Sequence, residues 1–226
     1  MPLTPADSLS PLSIHPTKQD TVWWLPRHEK KLTEKSTMAR VDLVFLGDSI
    51  TQAWEKEGAD IWHTFYQPRN ALNLGFNGDK TENVLWRLAH GEVDNIQPKL
   101  LVLLVGTNNA GHRMDKAEDT ALGIKHILSV LAEKLPQTKI LLLAIFPRSA
   151  KPTQKLRMLN DEVNQIICRY ADDKRVFFCD INHVFLDKKG RITSNVMNDF
   201  LHPNASQYQI FAETIEPYIV ELMADH

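Results

Sequence analysis

Val41-Asp42-Leu43-Val44-Phe45-Leu46-Gly47-Asp48-Ser49-Ile50-Thr51 is a short apolar run that ends in a glycine, an acid and a serine. Residues 41–46 are mostly apolar at successive positions and too few for a helix. A run of that kind reads as a strand buried on both faces, as in a parallel sheet. Residues 71–74, 100–105, 140–145 and 176–179 repeat the pattern. Helical spacing fills the gaps between them. Ala117, Ala121, Ile124, Leu128, Leu131 and Leu135 recur at steps of three and four, as do Leu156, Leu159, Val163, Ile166, Ile167 and Tyr170. Residues 205–223 close the chain with Tyr208, Phe211, Ile215 and Ile219 on one face. Strands alternating with amphipathic helices predict a three-layer α/β/α sandwich around a five-stranded parallel sheet.

The chain of 226 residues is long enough for one well-buried core and short for two, so residues 21–226 read as one domain. Residues 1–20, rich in Pro, Ser and Thr, read as an extended arm. Lying over the domain, lying on a neighbouring subunit of a homodimer, and disorder all stay open for it. A net charge of −2 without basic clusters speaks against a nucleic-acid partner. No apolar run approaches the roughly 18 residues of a membrane helix. The N-terminus lacks a basic stretch followed by an apolar one, so a cytoplasmic location is expected. Cys168 and Cys179 form neither a C-x-x-C pair nor a zinc-like spacing, and two reduced core thiols are the expectation.

In parallel α/β sheets chemistry sits at the carboxyl ends of the strands. Ser49 follows the first run, at a strand-to-helix junction where Gly47 permits a tight turn. Gly75-Phe76-Asn77-Gly78-Asp79 follows the second, and its glycines leave backbone N–H groups unshielded for an anion. Gly106-Thr107-Asn108-Asn109 follows the third, offering a side-chain amide donor. Asp199-Phe200-Leu201-His202-Pro203 opens the last helix with a carboxylate three residues before an imidazole. Each has an ordinary reading too: helix N-cap, βα turn, Asx turn, surface histidine. Together they supply a nucleophile, a base, a group to orient the base, and oxyanion donors. Asp180-Ile181-Asn182-His183 offers the same spacing as 199/202. It directly follows an apolar strand and precedes Val184 and Phe185, so it reads as a packed loop.

The order GDS, G-x-N-G-D, GTNN and D-x-x-H-P resembles the four blocks of the SGNH (GDSL-type) hydrolases, over roughly residues 40–220. Asn73-Leu74-Gly75-Phe76-Asn77-Gly78-Asp79, followed by Val84-Leu85-Trp86-Arg87-Leu88, is most similar to the catalytic subunits of intracellular platelet-activating-factor acetylhydrolase and their bacterial relatives. The resemblance implies a flavodoxin-like fold and ester hydrolysis with no cofactor or metal. It implies Ser49 as nucleophile, Asp199 and His202 as its triad partners, and the Ser49 N–H, Gly78 N–H and Asn108 side chain as oxyanion hole. Asn77 departs from relatives that carry glycine there, which leaves the aim of the Gly78 N–H open.

Family members cleave acetyl esters, thioesters, phospholipid esters and O-acetylated sugars, so the reaction is better specified than the substrate. The expectation is a short-chain, acetyl-removing esterase acting on an O-acetylated sugar or a short-chain lipid ester. A lysophospholipase or thioesterase for longer chains, and a non-catalytic binding module, are the alternatives. Trp54, Phe76, Phe200 and Leu201 lie next to the motifs and would close a short acyl pocket, unless they face the core.

Overall fold

The structure is a computed structural model describing residues 10–224. Five strands, Leu43–Gly47 (β1), Ala71–Gly75 (β2), Leu100–Leu104 (β3), Lys139–Leu143 (β4) and Val176–Cys179 (β5), form one sheet in the order β2-β1-β3-β4-β5. Every neighbouring pair is parallel. That order is the flavodoxin-like one, with its switch point beside β1 and β3. Among the described residues eight α-helices connect and flank the strands: Trp24–Thr37 (α1), Ser49–Gln52 (α2), Ala59–Phe65 (α3), Thr81–Ala89 (α4), Thr107–Arg113 (α5), Ala117–Lys134 (α6), Lys155–Ile167 (α7) and Ala205–Met223 (α8).

Successive strand residues point to opposite faces, and here both faces are covered. Val44, Leu46, Leu72, Leu74, Leu101, Leu103, Ile140 and Leu142 pack with Val84 and Leu88 of α4, Ile124 of α6 and Val163 of α7. Leu43, Phe45, Leu100, Val102, Leu104, Leu141 and Leu143 pack with Trp54 and with Tyr208, Phe211, Ile215 and Ile219 of α8. This is why the strands are apolar without alternation, and the three-layer α/β/α architecture expected from the sequence is the one observed.

The stripes read for α6 and α8 are buried. In α7 the buried face also takes in Arg157, Asn160 and Asn164. These polar groups brace the chain after β4: Asn164 bonds both N–H and C=O of Ile145, and Arg157 donates to the carbonyls of Arg148 and Ser149. The expected pair of core thiols is half corrected. Cys179 is buried, but Cys168 is exposed, in a 3-10 turn beyond the last buried residue of α7.

Helix α1 has no apolar stripe in the sequence, because its buried residues are Trp24, His28 and Lys31. Trp24 and His28 pack against the Phe76 and Trp86 rings. Burial there pushes His28 down to about 4, opposed by its hydrogen bond to His90 O. The unfolded chain therefore takes up the proton first, near the ordinary histidine value of 6.5. This contribution to stability is complete above that pH and is lost as pH falls towards 4. In that window it removes about 1.4 kcal/mol of unfolding free energy per pH unit. Denaturant titrations at pH 7, 6 and 5 should show a shallower decline for His28→Gln than for wild type. Parallel declines would remove His28 from the acid response.

Of the arm, residues 1–9 lie outside the described residues. Residues 10–20 run across α4 and α6: Ser13 donates to Asp119 O, Thr17 N–H donates to Glu82 O, and Asn83 donates to Thr17 O. Among the described residues no helix is long and apolar enough to cross a membrane.

Candidate active site

The carboxyl ends of β1, β2 and β3 and the loop before α8 converge on one cleft of about 640 Å³. At the end of β1, Gly47 lies so close to its neighbours that a Cβ would stand 2.2 Å from Leu104 O. Only glycine lets the chain pass there. Asp48 then caps α2, its carboxylate accepting from Ile50 N–H at 3.0 Å. Burial pushes the Asp48 carboxyl up to about 7. Ser49 is the first residue of α2 and lines the cleft. Tyr208 of α8 donates to Ile50 O at 2.7 Å and ties the short helix down.

After β2 the chain turns through Phe76, Asn77 and Gly78, with Gly78 at φ 75°, a backbone angle that suits glycine. Asp79 behind it is fully buried. Its carboxylate accepts from Gln19 Nε2 at 2.6 Å, Trp24 Nε1 at 2.7 Å and Arg87 Nε at 2.8 Å. Arg87, equally buried, pairs with Glu92 and donates to Gly47 O at 3.2 Å and Leu74 O at 3.3 Å. A charge taken out of water needs partners, and the partners found here are the Asp79 and Glu92 carboxylates and the carbonyls at the ends of β1 and β2. One guanidinium thus fixes two of the loops that carry the cleft.

After β3, the two neighbouring asparagines divide the work. Asn109 accepts from Thr81 N–H at 3.1 Å and donates to Asp115 at 3.0 Å, a bracing role. Asn108 lines the cleft, and its Nδ2 donates to Asp79 O at 2.9 Å.

The last segment bends sharply at Phe200, φ 58°, a conformation rare for a bulky side chain. Ser149 N–H holds that bend through Phe200 O at 2.8 Å. Asp199 Oδ1 accepts from the backbone N–H groups of Leu201 at 3.0 Å and His202 at 2.8 Å. Its Oδ2 lies 2.6 Å from His202 Nδ1, and His202 Nε2 lies 2.8 Å from Ser49 Oγ. Partial burial pushes the Asp199 carboxyl up. The hydrogen bonds from His202 and its charge outweigh that and hold it below the usual carboxylate value. An ionised carboxylate only accepts, so Nδ1 carries the proton. In the neutral ring Nε2 is then the acceptor for the serine hydroxyl. A hydroxyl, an imidazole and a carboxylate in this sequence can perform acyl transfer.

Ser49, Gly78, Asn108, Asp199 and His202 therefore share one cleft. Asp180 and His183 are outside it. Asp180 caps its own turn by accepting from Asn182 N–H, and His183 sits in a separate 3-10 turn. Of the two readings left open for the bulky neighbours of the motifs, the core-facing one holds for the three aromatic residues. Trp54 and Phe76 are fully buried, and Phe200 packs against the core. Of the four bulky neighbours Leu201 lines the cleft, together with the smaller apolar groups Ala53, Pro203 and Ala205. The remaining walls are polar: Gln52, Lys56, Glu57, Asn77, His112, Asn198 and Asn204. The supports Arg87 and Gln19 escaped the sequence reading. A lone arginine inside the apolar Val84–Leu88 segment was a usable sign of a buried ion pair, whereas nothing local marks Gln19.

The family model for GDSL-like lipase/acylhydrolase matches residues 45–210. The chain is 34% identical over 202 residues to human platelet-activating factor acetylhydrolase IB subunit alpha1, covering 89% of this chain and 84% of that protein. It is 34% identical over 203 residues to the mouse alpha2 subunit, with 89% and 86% covered. Among solved structures, a GDSL-like lipase from Bacteroides thetaiotaomicron superimposes with a TM-score of 0.72 at 19% identity, covering 86% of this chain and 97% of that one. The sheet order, the matched model and these relatives agree: the chain belongs to the GDSL-like lipase/acylhydrolase family and is a carboxylic ester hydrolase with the SGNH fold.

Proposed function

We propose that this chain is a short-chain, acetyl-removing serine esterase whose catalytic groups are Ser49, His202 and Asp199. The unbroken chain of contacts from Ser49 Oγ through His202 to Asp199 carries the reading. Ser49 Oγ attacks the acyl carbon while its proton passes to His202 Nε2. The carbonyl π electrons move to oxygen, and that oxyanion is met by the Ser49 N–H, the Gly78 N–H and Asn108 Nδ2. Among the described residues neither backbone N–H has an acceptor. An amide nitrogen carries two hydrogens. One of those on Asn108 is held by Asp79 O, which leaves the second for the substrate. As the tetrahedral intermediate collapses, the C–O bond to the alcohol breaks and His202 returns the proton to the leaving oxygen. Water then repeats the sequence on the acyl-enzyme and frees the acid and Ser49. Asp199 stays ionised throughout and stabilises the imidazolium.

The walls of the cleft favour a small acyl group on a polar alcohol, an O-acetylated sugar over a lipid ester. Its apolar lining is only Ala53, Leu201, Pro203 and Ala205, and the rest offers amides, an imidazole and opposite charges. The human relative is named an acetylhydrolase, which supports the acyl length. Each methylene buried in an apolar trench would add about 0.8 kcal/mol, and Ala53, Leu201, Pro203 and Ala205 are few side chains for a long chain to lie against. So kcat/KM should fall from p-nitrophenyl acetate through butyrate and hexanoate to octanoate. A rise towards octanoate would promote the long-chain lysophospholipase or thioesterase reading.

A further inference from the structure

We propose that Gln19, in the segment before α1, is a positioning residue that aims the Gly78 N–H into the cleft. The inference rests on the reading of that N–H as an oxyanion donor. Phe76, Asn77, Gly78 and Asp79 form a β-turn closed by Asp79 N–H donating to Phe76 O at 3.1 Å. The central peptide of that turn joins Asn77 to Gly78. In a trans peptide the C=O and the N–H point in opposite directions. Whatever holds Asn77 O on one side therefore directs Gly78 N–H to the other.

Gly78 at φ 75°, after Asn77 with negative φ, has the signature of a type II turn. A type I turn has the same ends but the central peptide flipped over, and Asn-Gly sequences enter both forms without steric penalty. The flipped form would withdraw the N–H from the substrate side. The turn needs an external hold, and Gln19 supplies it. Gln19 Nε2 donates to Asn77 O at 2.9 Å and to Asp79 Oδ1 at 2.6 Å, on either side of Gly78. Thr21 Oγ1 contacts Gln19 Oε1 at 3.3 Å, which keeps the amide oxygen turned away. On the other side of the turn, Gln52 of α2 accepts from Asn77 N–H at 2.7 Å and anchors the loop to the helix that Ser49 begins. A donor on the carbonyl of an amide also polarises its N–H, so the same contact strengthens the bond that Gly78 offers.

The test compares Gln19→Ala and Gln19→Met, the second similar in shape but without donors, with wild type on p-nitrophenyl acetate. The expected result is a fall of about ten- to a hundred-fold in kcat and kcat/KM together, with KM nearly unchanged, because the donor acts chiefly in the transition state. The thermal midpoint should fall in both variants without unfolding at assay temperature, because buried Asp79 loses one of its donors. A trifluoromethyl ketone, whose Ser49 adduct carries the oxyanion, should lose affinity by a similar factor. Wild-type rates in both variants would overturn the proposal. So would a loss confined to KM, an unchanged affinity for the ketone, or unfolding of both variants, which would make Gln19 merely structural. Full activity in Ser49→Ala would refute the catalytic reading instead. With Ser49 essential and the Gln19 variants unimpaired, the positioning role alone fails.

Discussion

Ser49→Ala should lower kcat for p-nitrophenyl acetate by roughly five to six orders of magnitude while leaving the thermal midpoint close to that of wild type. Removing the nucleophile of a triad abolishes the covalent route altogether, and what remains comes from binding and oxyanion donors alone. The fold has little to lose. Asp48, not Ser49, caps α2. The hydroxyl contacts His202, not the core. Labelling with an alkylphosphonate gives an independent measurement. The adduct should appear on Ser49, and an adduct on any other serine would show the assignment to be wrong.

His202→Ala should be nearly as damaging, whereas His183→Ala should keep most of the activity. The contrast decides between the two D-x-x-H segments. His202 stands 2.8 Å from the serine hydroxyl, with Asp199 on its other nitrogen. His183 lies in a turn outside the cleft. Loss of the base leaves Ser49 a weak nucleophile at neutral pH. Steady-state rates of the two variants side by side make the measurement, and the reverse ranking would move the triad to Asp180 and His183.

What could be read from sequence followed the physics of each element. The strands were legible because a sheet covered on both faces demands unbroken apolar runs, and helices α6 and α8 because their buried faces are mainly apolar, with Thr120 and Gln207 the exceptions. Helix α1 was not, since Trp24, His28 and Lys31 do not form an apolar stripe. In α7 the polar buried face of Arg157, Asn160 and Asn164 is set by backbone groups of the loop that runs from β4 into the helix, which no periodicity reveals. In the cleft, the residues found together were those carried by short motifs at strand ends. The residues that hold those motifs in place come from far along the chain: Gln19 on Asn77 and Asp79, Arg87 on Gly47. For Trp54 and Phe76 the sequence left pocket-facing and core-facing readings open, because adjacency to a loop says nothing about which way a side chain turns, and the core-facing one holds.

Arg87 has a consequence for how descendants of this chain could change. Its guanidinium joins Gly47 O, Leu74 O, Asp79 and Glu92 in one buried cluster. Substitutions near the first two strand ends are therefore coupled, and an altered turn there would need compensating changes elsewhere before it was tolerated. The opposite rim, with Lys56, Glu57 and Asn198, is exposed and free of that cluster. Divergence in the alcohol accepted should accumulate on that rim, one residue at a time, while the chemistry across the cleft changes little.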